Sequence, residues 1–219
     1  MSARIIAISD IHGCLAALQT VLAAVDPRPE DTVVTVGDYA DRGPDVCGVL
    51  ELLIGLGQRT HLVPLLGNHD ETMLNVCRGR FDLLGDWLLF GGDATLASYA
   101  ARSPADVWPA HVEFLSRCPL TFETQSHFFV HANYREDLPL DQLPREVLIW
   151  ESLKRHVPGP HVSGKTAIVG HTAQKNCEIL DLGHLKCIDT WCYGDGWLTA
   201  VDVETGHCWQ ADKKGVLRK

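Results

Sequence analysis

The sequence predicts an α/β fold organised around a sheet whose strand ends carry polar motifs. In the first third of the chain, three apolar runs are each followed by a short polar motif and a helical pattern. The leading residues of these motifs, Asp10, Asp38 and Asn68, are separated by 28 and 30 residues, which fits successive βαβ units of about 30 residues. Because parallel strands place their carboxyl ends along one edge of a sheet, we expect the three motifs to converge there.

The first two units carry the local signals of strands and helices. The β-branched run Thr32–Val36 is typical of a buried strand, and Arg4–Ser9 and His61–Leu66 are predicted as two further strands. Cys14–Val25 has apolar residues at helical spacing and is followed by a proline, so it is predicted as a helix. Val46–Leu56 is predicted as a second helix.

The rest of the chain predicts a helical insertion followed by a second set of strands. Residues of about 71–117 have a helical packing face, and Leu120–Thr124 with His127–His131 form a predicted hairpin. Asp137–Pro160 is proline-rich and is predicted as a loop with one short helix. The second half is expected to form a mostly antiparallel or mixed sheet. Its remaining predicted strands are Thr166–Val169, Cys177–Leu180, Leu185–Ile188, Trp197–Val203 and His207–Gln210.

The composition predicts one domain over residues 1–219 and excludes several classes of partner. The chain is 46% hydrophobic, which is enough apolar material for one well-formed core. A net charge of −9 argues against a broad surface for nucleic acid or anionic membranes. The apolar run near the N-terminus is too short for a signal peptide, and no spanning segment follows, so we expect a cytoplasmic protein. The eight cysteines lack the pattern of a disulfide scaffold and are expected to be free thiols.

The polar motifs supply donors suited to divalent cations and phosphate. Two aspartates, one asparagine and three histidines follow apolar runs, and the carboxylates suit hard or borderline cations. These candidate metal ligands are Asp10, His12, Asp38, Asn68, His131 and His171. The inventory fits two cations that share a carboxylate, an arrangement that serves phosphoryl transfer. His69 is placed to protonate a leaving oxygen and Arg42 to hold phosphate oxygens with its planar fork.

The order and spacing of the motifs resemble the phosphoprotein phosphatase (PPP) family of metallophosphoesterases. The matching motifs are Asp10-x-His12-Gly13, Gly37-Asp38-x-x-Asp41-Arg42-Gly43 and Gly67-Asn68-His69-Asp70. His131 and His171 resemble the two later metal histidines of the family. The chain length and the sequence Gly91-Gly92-x-x-Thr95-Leu96 look like bacterial and phage serine/threonine protein phosphatases. The resemblance implies a four-layer α/β (α+β) architecture, with a central mixed β-sandwich flanked by helices as in calcineurin-like metallophosphoesterases.

The resemblance also implies a dinuclear metal centre, with Asp38 bridging the metals and a bridging water as nucleophile. Asp10 and His12 would complete one metal site, and the second would be completed by Asn68, His131 and His171. His69 would act as the general acid, oriented by Asp41, while Arg42 and Asn68 would contact the phosphate. The metals would be divalent ions, with Mn favoured and Fe, Zn or Co also suited to these donors.

One feature departs from the family pattern. Bacterial members carry a second phosphate-binding arginine directly after a tryptophan, whereas Glu151 and Ser152 follow Trp150 here. We hypothesise that Arg135 or Arg155 provides this contact instead.

Three alternatives accompany the leading interpretation, a serine/threonine protein phosphatase acting on a phosphorylated protein or small phosphoester. A symmetrical bis(5'-nucleosyl)-tetraphosphatase, or diadenosine tetraphosphate hydrolase, has a similar motif set but often varies at the position of Asp41. A catalytically inactive scaffold is disfavoured because every ligand position is filled. Gly159–Thr166 matches a P-loop pattern, but a strand-like run follows where a P-loop requires a helix.

Overall fold

Two five-stranded sheets, packed face to face, form the centre of the fold. The computed structural model describes residues 3–219. The first sheet has the strand order β10-β9-β1-β2-β3 and the second the order β4-β5-β6-β8-β7. The strands are β1 (Ile5–Ile8), β2 (Thr32–Thr35), β3 (His61–Pro64), β4 (Thr121–Glu123), β5 (His127–Val130), β6 (Thr166–Val169), β7 (Leu180–Asp181), β8 (Leu185–Cys187), β9 (Leu198–Asp202) and β10 (Cys208–Ala211).

Within residues 3–219, seven helices surround the sheets. They are α1 (Leu15–Val25), α2 (Val46–Gly57), α3 (Asn68–Cys77), α4 (Leu84–Trp87), α5 (Asp93–Ser98), α6 (Pro109–Ser116) and α7 (Arg145–Trp150), with a π-helical turn over Leu88–Gly92 and short 3₁₀ turns at Phe81–Leu83, Pro104–Asp106 and Leu140–Gln142. The predicted helical character of residues 71–117 agrees with the helices that lie between β3 and β4.

The hydrophobic core is divided into layers that match the expected sandwich. The inner faces of the two sheets meet through residues such as Val34 and Ile168. The outer face of the first sheet packs against α1, α2 and α3, and the outer face of the second packs against α7. Burial of apolar side chains on both faces explains why the strands consist of nearly continuous hydrophobic runs.

The sheet topology corrects the prediction for the end of the chain. The two last strands, expected in the second sheet, join the first one: β9 pairs antiparallel with β1, and β10 with β9. The second sheet is mixed, since β5, β6 and β8 are parallel and its edge strands are antiparallel. The predicted strand Cys177–Leu180 is also wrong in extent. Cys177 lies in a turn with φ 63°, so strand pairing begins only at Leu180.

The remaining sequence features fit the fold. The segment that matches a P-loop pattern leads into β6 rather than into a helix, and Lys165 is paired with Glu123 at 2.7 Å. All eight cysteines, which lie within the described residues, are free. Across residues 3–219, none of the helices has the length and apolar character needed to span a bilayer.

Candidate metal centre and catalytic dyad

The predicted metal ligands converge where strands of both sheets end. Strands β1, β2 and β3 are parallel, and Asp10, Asp38 and Asn68 follow their carboxyl ends. In the second sheet, β5 and β6 are parallel and lead to His131 and His171. All of these side chains except the half-buried His171 are buried. The convergence predicted from spacing is therefore observed.

The donor atoms form two overlapping groups that share Asp38. One group contains His12, Asp38 and His69, and the other contains Asp38, His131 and His171; within each group the donor atoms lie within 4.8 Å of one another. Nε2 of His12 is 3.5 Å from Oδ2 of Asp38, and Nε2 of His131 is 3.4 Å from Oδ1. Each Asp38 oxygen thus faces a different histidine, as expected of a carboxylate that bridges two cations.

Asn68 and Asp10 complete the centre. Oδ1 of Asn68 lies 3.1 Å from Nε2 of His131 and 2.9 Å from Nδ1 of His171. Asp10 belongs to neither donor group, but its Oδ2 accepts the backbone N–H of His171 at 2.9 Å. Its Oδ1 is buried and has no hydrogen-bond partner among the described residues. A buried carboxylate oxygen without a partner is costly, and a cation would satisfy it.

Backbone hydrogen bonds orient two of the histidines predicted to bind metal. Nδ1 of His12 is 2.8 Å from the Ala40 carbonyl, and Nδ1 of His131 is 2.8 Å from the Val36 carbonyl. A carbonyl can only accept, so both rings carry their proton on Nδ1 and turn the lone pair of Nε2 towards Asp38. Burial lowers the pKa of both histidines, which keeps them neutral and able to bind a cation.

The electrostatics of the cluster favour bound cations. Burial alone would raise the pKa of Asp38, but the surrounding histidines, His131 foremost, lower it below its ordinary value. Burial and the neighbouring His131 lower the pKa of His171 to about 4. An ionised carboxylate surrounded by neutral imidazoles and an amide oxygen is a donor set that fits divalent metals. The residues present therefore fit the expected cofactor.

Backbone conformations place the side chains at short range. Five site residues have left-handed φ values, a conformation that costs free energy in non-glycine residues and concentrates at functional sites. They are His12, Asp38, Asp41, Arg42 and His171. Gly67 and Gly170 allow this approach, since a Cβ atom at either position would run into the carboxylate of Asp38 or Asp10.

His69 forms a dyad with Asp41 and also contacts Arg42. Its Nδ1 lies 2.7 Å from Oδ2 of Asp41, and its Nε2 accepts a hydrogen bond from Nη2 of Arg42 at 2.8 Å. Nη1 of Arg42 donates to Nε2 of His12, also at 2.8 Å. Burial alone would lower the pKa of His69, but Asp38 and the bond to Asp41 raise it above its ordinary value. With this raised pKa, the ring can bind a second proton on Nε2 when Arg42 does not occupy that position, which suits it to general-acid catalysis.

Several residues near the site were not singled out in the sequence. The Tyr193 ring contacts both His12 and Arg42, with its centroid 4.9 Å from the imidazole centroid. Asp70 ties the loops together by accepting the N–H groups of Tyr39, Ala40 and Gly67. These roles depend on contacts between distant segments, and only the position of Asp70 inside a motif could have drawn attention to it.

Among residues 3–219, Arg135 and Arg155 make no ion pair or hydrogen bond to the predicted metal ligands. Nη1 of Arg135 is 2.6 Å from Oε2 of Glu151, while Arg155 is 84% exposed and lies 3.8 Å from the same carboxylate. Both arginines line an open cavity of about 350 Å³ with Trp150 and Glu151. A phosphate bound by either arginine would therefore have to compete with the Glu151 carboxylate for the guanidinium.

Comparisons with known proteins identify one family and two kinds of relative. The sequence profile of the family described as "Calcineurin-like phosphoesterase" matches residues 3–195. Serine/threonine-protein phosphatase 1 of Salmonella typhimurium (strain LT2) is 28% identical over 90% of this chain and 90% of its own length. The symmetrical bis(5'-nucleosyl)-tetraphosphatase of Pectobacterium atrosepticum is 44% identical, but over 44% of this chain and 36% of its own length. A crystal structure of a candidate diadenosine tetraphosphatase shares the fold, with a TM-score of 0.74 at 23% identity over 96% of this chain and 94% of that one.

Proposed function

The chain belongs to the calcineurin-like phosphoesterase family, and we propose that this phosphoester hydrolase is a serine/threonine protein phosphatase. We prefer a protein phosphatase to a tetraphosphatase because of how much of each relative's length the chain covers. The chain spans 90% of the length of Serine/threonine-protein phosphatase 1, whereas it spans about a third of the tetraphosphatase that it matches at 44% identity. The similarity to the former thus extends over most of both proteins, whereas the similarity to the latter is limited to 103 residues.

In this proposal the clustered side chains hold two divalent cations. Asp38 is shared, one position is completed by Asp10 and His12, and the other is completed by Asn68, His131 and His171. When bound, the cations would supply the positive charge that activates a water and neutralises phosphate oxygens. Mn²⁺ is the proposed occupant, since carboxylate, amide and imidazole donors suit it, with Fe, Zn or Co as substitutes.

The protein side chains would then divide the remaining tasks. Arg42 leaves the two histidines that it bridges and holds phosphate oxygens with its guanidinium, aided by the amide of Asn68. The water oxygen forms a bond to phosphorus as the bond to the seryl or threonyl oxygen breaks. With Arg42 moved away, Nε2 of His69 takes up a proton from solvent and donates it to that leaving oxygen, while Asp41 holds the opposite edge of the ring. The pKa of His69, raised by Asp38 and Asp41, favours the protonated ring at the start of this step.

A symmetrical diadenosine tetraphosphate hydrolase is the second candidate. Identity to the Pectobacterium atrosepticum tetraphosphatase is 44% over 103 residues. Two aromatic rings also lie at the site: Tyr193 beside His12 and Phe90, 58% exposed, beside His69. Aromatic faces can stack nucleobases. The Asp41–His69 dyad is intact, however, and this is the position at which the tetraphosphatases often vary.

A direct comparison of substrates tests the proposal. Protein stripped with EDTA and refilled with Mn²⁺ is assayed for phosphate release from a phosphothreonine peptide and from diadenosine tetraphosphate at equal concentrations. We expect a higher kcat/KM for the peptide. Preference for the tetraphosphate, with nucleoside diphosphate as the product, would contradict the protein phosphatase assignment and favour the second candidate.

A further inference from the structure

The carboxylate of Asp41 is held from the side opposite His69 by two residues of the helical insertion. Its Oδ1 accepts the hydroxyl of Thr95 at 2.7 Å and the indole N–H of Trp87 at 2.9 Å. Its Oδ2 faces Nδ1 of His69. The hydroxyl oxygen of Thr95 in turn accepts the backbone N–H of Asp41 at 3.0 Å. Both oxygens of a fully buried carboxylate are therefore satisfied, and all four groups are buried.

The donors set the direction of this chain of hydrogen bonds. The indole nitrogen can only donate, and the Thr95 hydroxyl donates its single proton to Oδ1 of Asp41 while its oxygen accepts the Asp41 N–H. Asp41 consequently accepts from both, stays ionised, and can only accept from His69. That fixes the proton of His69 on Nδ1 and directs Nε2 towards the metal centre. Without these donors the carboxylate would be free to rotate and would lose the partners that offset its burial.

The local backbone is shaped for this contact. Gly92 leaves room for the Trp87 ring, which a Cβ atom at that position would strike. Gly91, with φ 106°, lets its carbonyl accept the N–H of Arg42 at 3.2 Å, and a side chain there would meet the Arg42 backbone. This part of the insertion thus contacts Arg42, through the Gly91 carbonyl, and Asp41, through Trp87. In the same segment Leu89 is 84% exposed, whereas the Trp87 ring is fully buried in the core.

We propose that Thr95 and Trp87 are positioning residues for the general acid, acting on His69 through Asp41. This inference rests on the proposed function in one respect, that His69 protonates the leaving oxygen. It makes the helical insertion part of the catalytic support rather than an addition to the outside of the sandwich.

The kinetic test compares two substrates: one whose leaving group needs a proton to depart and one whose leaving group departs without it. Thr95→Val keeps the shape of the side chain and removes the donor, Trp87→Phe removes the indole N–H, and Thr95→Ser restores a hydroxyl. Loss of a positioned general acid should lower kcat for a phosphothreonine peptide by about 10-fold or more in the first two variants. Turnover of 2,4-dinitrophenyl phosphate, whose leaving group departs as an anion, should change far less, and Thr95→Ser should recover most of the peptide activity.

A matched control lies in the same part of the chain. Tyr99 follows α5 and its hydroxyl is 2.6 Å from Nδ1 of His111, so Tyr99→Phe removes a comparable hydrogen bond that does not reach Asp41. This variant should keep the wild-type ratio of peptide to dinitrophenyl phosphate turnover. An equal loss on both substrates in Thr95→Val and Trp87→Phe, or no loss on either, would overturn the positioning role.

A second readout does not depend on turnover. In metal-free protein, the side-chain ¹H–¹⁵N resonances of His69, assigned by comparison with His69→Asn, should shift in Thr95→Val and stay in place in Tyr99→Phe. Unchanged His69 resonances in Thr95→Val would refute the inference even if activity falls. Conversely, shifted resonances in a protein that hydrolyses no phosphoester would support the hydrogen-bond chain and refute the proposed function. If Trp87→Phe does not fold, Thr95→Val alone decides.

Discussion

The guanidinium of Arg42 lies over the ring of Tyr193, with Cζ 4.3 Å from the ring centroid. The same guanidinium bridges Nε2 of His12 and Nε2 of His69. Tyr193 therefore supports Arg42 at the point where a predicted metal ligand and the proposed general acid meet. Cations at the centre would repel the guanidinium from His12, and a bound phosphate would attract it, while the ring offers a fixed surface for either position.

Replacement of Tyr193 by leucine should weaken phosphate binding. Leucine keeps apolar contact but removes the aromatic face, so we expect the inhibition constant of inorganic phosphate to rise by about 3- to 10-fold. The measurement is competitive inhibition of phosphopeptide hydrolysis at fixed Mn²⁺. Tyr193→Phe retains the ring and is the control. An unchanged inhibition constant in Tyr193→Leu would contradict the role assigned to the ring.

Asp38→Asn and His69→Asn should each lower kcat by at least ~100-fold, in line with loss of a shared ligand or of a general acid. Steady-state kinetics on the phosphothreonine peptide provide the measurement. Asp82→Asn removes an exposed carboxylate remote from the cluster and is expected to retain wild-type turnover. Near-wild-type kcat in both site variants would overturn the assigned roles.

Addition of Mn²⁺ to EDTA-treated protein should raise Tm. Cations that bind only the folded chain stabilise it by mass action, and at a free cation concentration of 100 times Kd this amounts to about 2.7 kcal/mol. The shift should be markedly smaller in His131→Asn, because a neutral ligand that faces Asp38 is lost. Differential scanning calorimetry with and without metal measures this, and equal shifts in wild type and variant would place the cations elsewhere.

Arg135→Ala should raise KM for the phosphopeptide if Arg135 supplies the second phosphate contact. Glu151→Gln should lower KM, because it releases the arginine from its 2.6 Å ion pair. Arg155→Ala is the comparison, since that side chain is 84% exposed. If Arg135→Ala and Arg155→Ala each leave kcat and KM unchanged, neither residue replaces the arginine that the family carries after the tryptophan.

Asp31 should stabilise the fold in a pH-dependent way. Burial alone would raise its pKa, but hydrogen bonds from Arg4 and Arg28 lower it below the ordinary value. A carboxyl group with a lowered folded-state pKa stabilises above its unfolded pKa of about 3.9, and this contribution is lost as pH falls through that value towards the folded pKa. Asp31→Asn should lower Tm by about 5 °C at pH 7.

The difference in Tm between Asp31→Asn and wild type should shrink below about pH 4, because the Asp31 carboxyl group then takes up a proton in the unfolded chain and its lowered folded-state pKa begins to oppose folding. Glu30→Gln, which removes an exposed partner of Arg28, serves as the control and should change Tm little at either pH. A pH-independent difference for Asp31→Asn would show that loss of the charge is not the cause.

The sequence was sufficient for the features that depend on local pattern. Strand positions follow from short apolar runs, and the spacing of Asp10, Asp38 and Asn68 predicts that their strands end at one edge. His131 and His171 could be added because each follows an apolar strand. These inferences succeed because a parallel βαβ unit has a nearly fixed length and direction, so spacing along the chain becomes position at the sheet edge.

Tertiary structure alone decided which distant segments meet. Nothing local indicates that β9 pairs with β1, that Tyr193 packs on Arg42, or that Thr95 holds Asp41, because each contact joins residues more than 50 positions apart. The pairing of Arg135 with Glu151 is likewise set by how a loop folds back beside the site. Local propensity fixes where strands and helices begin and end. The partners of each side chain are set instead by the packing of whole layers. The addition of β9 and β10 to the first sheet excludes water from it, and donors from the helical insertion satisfy the buried Asp41.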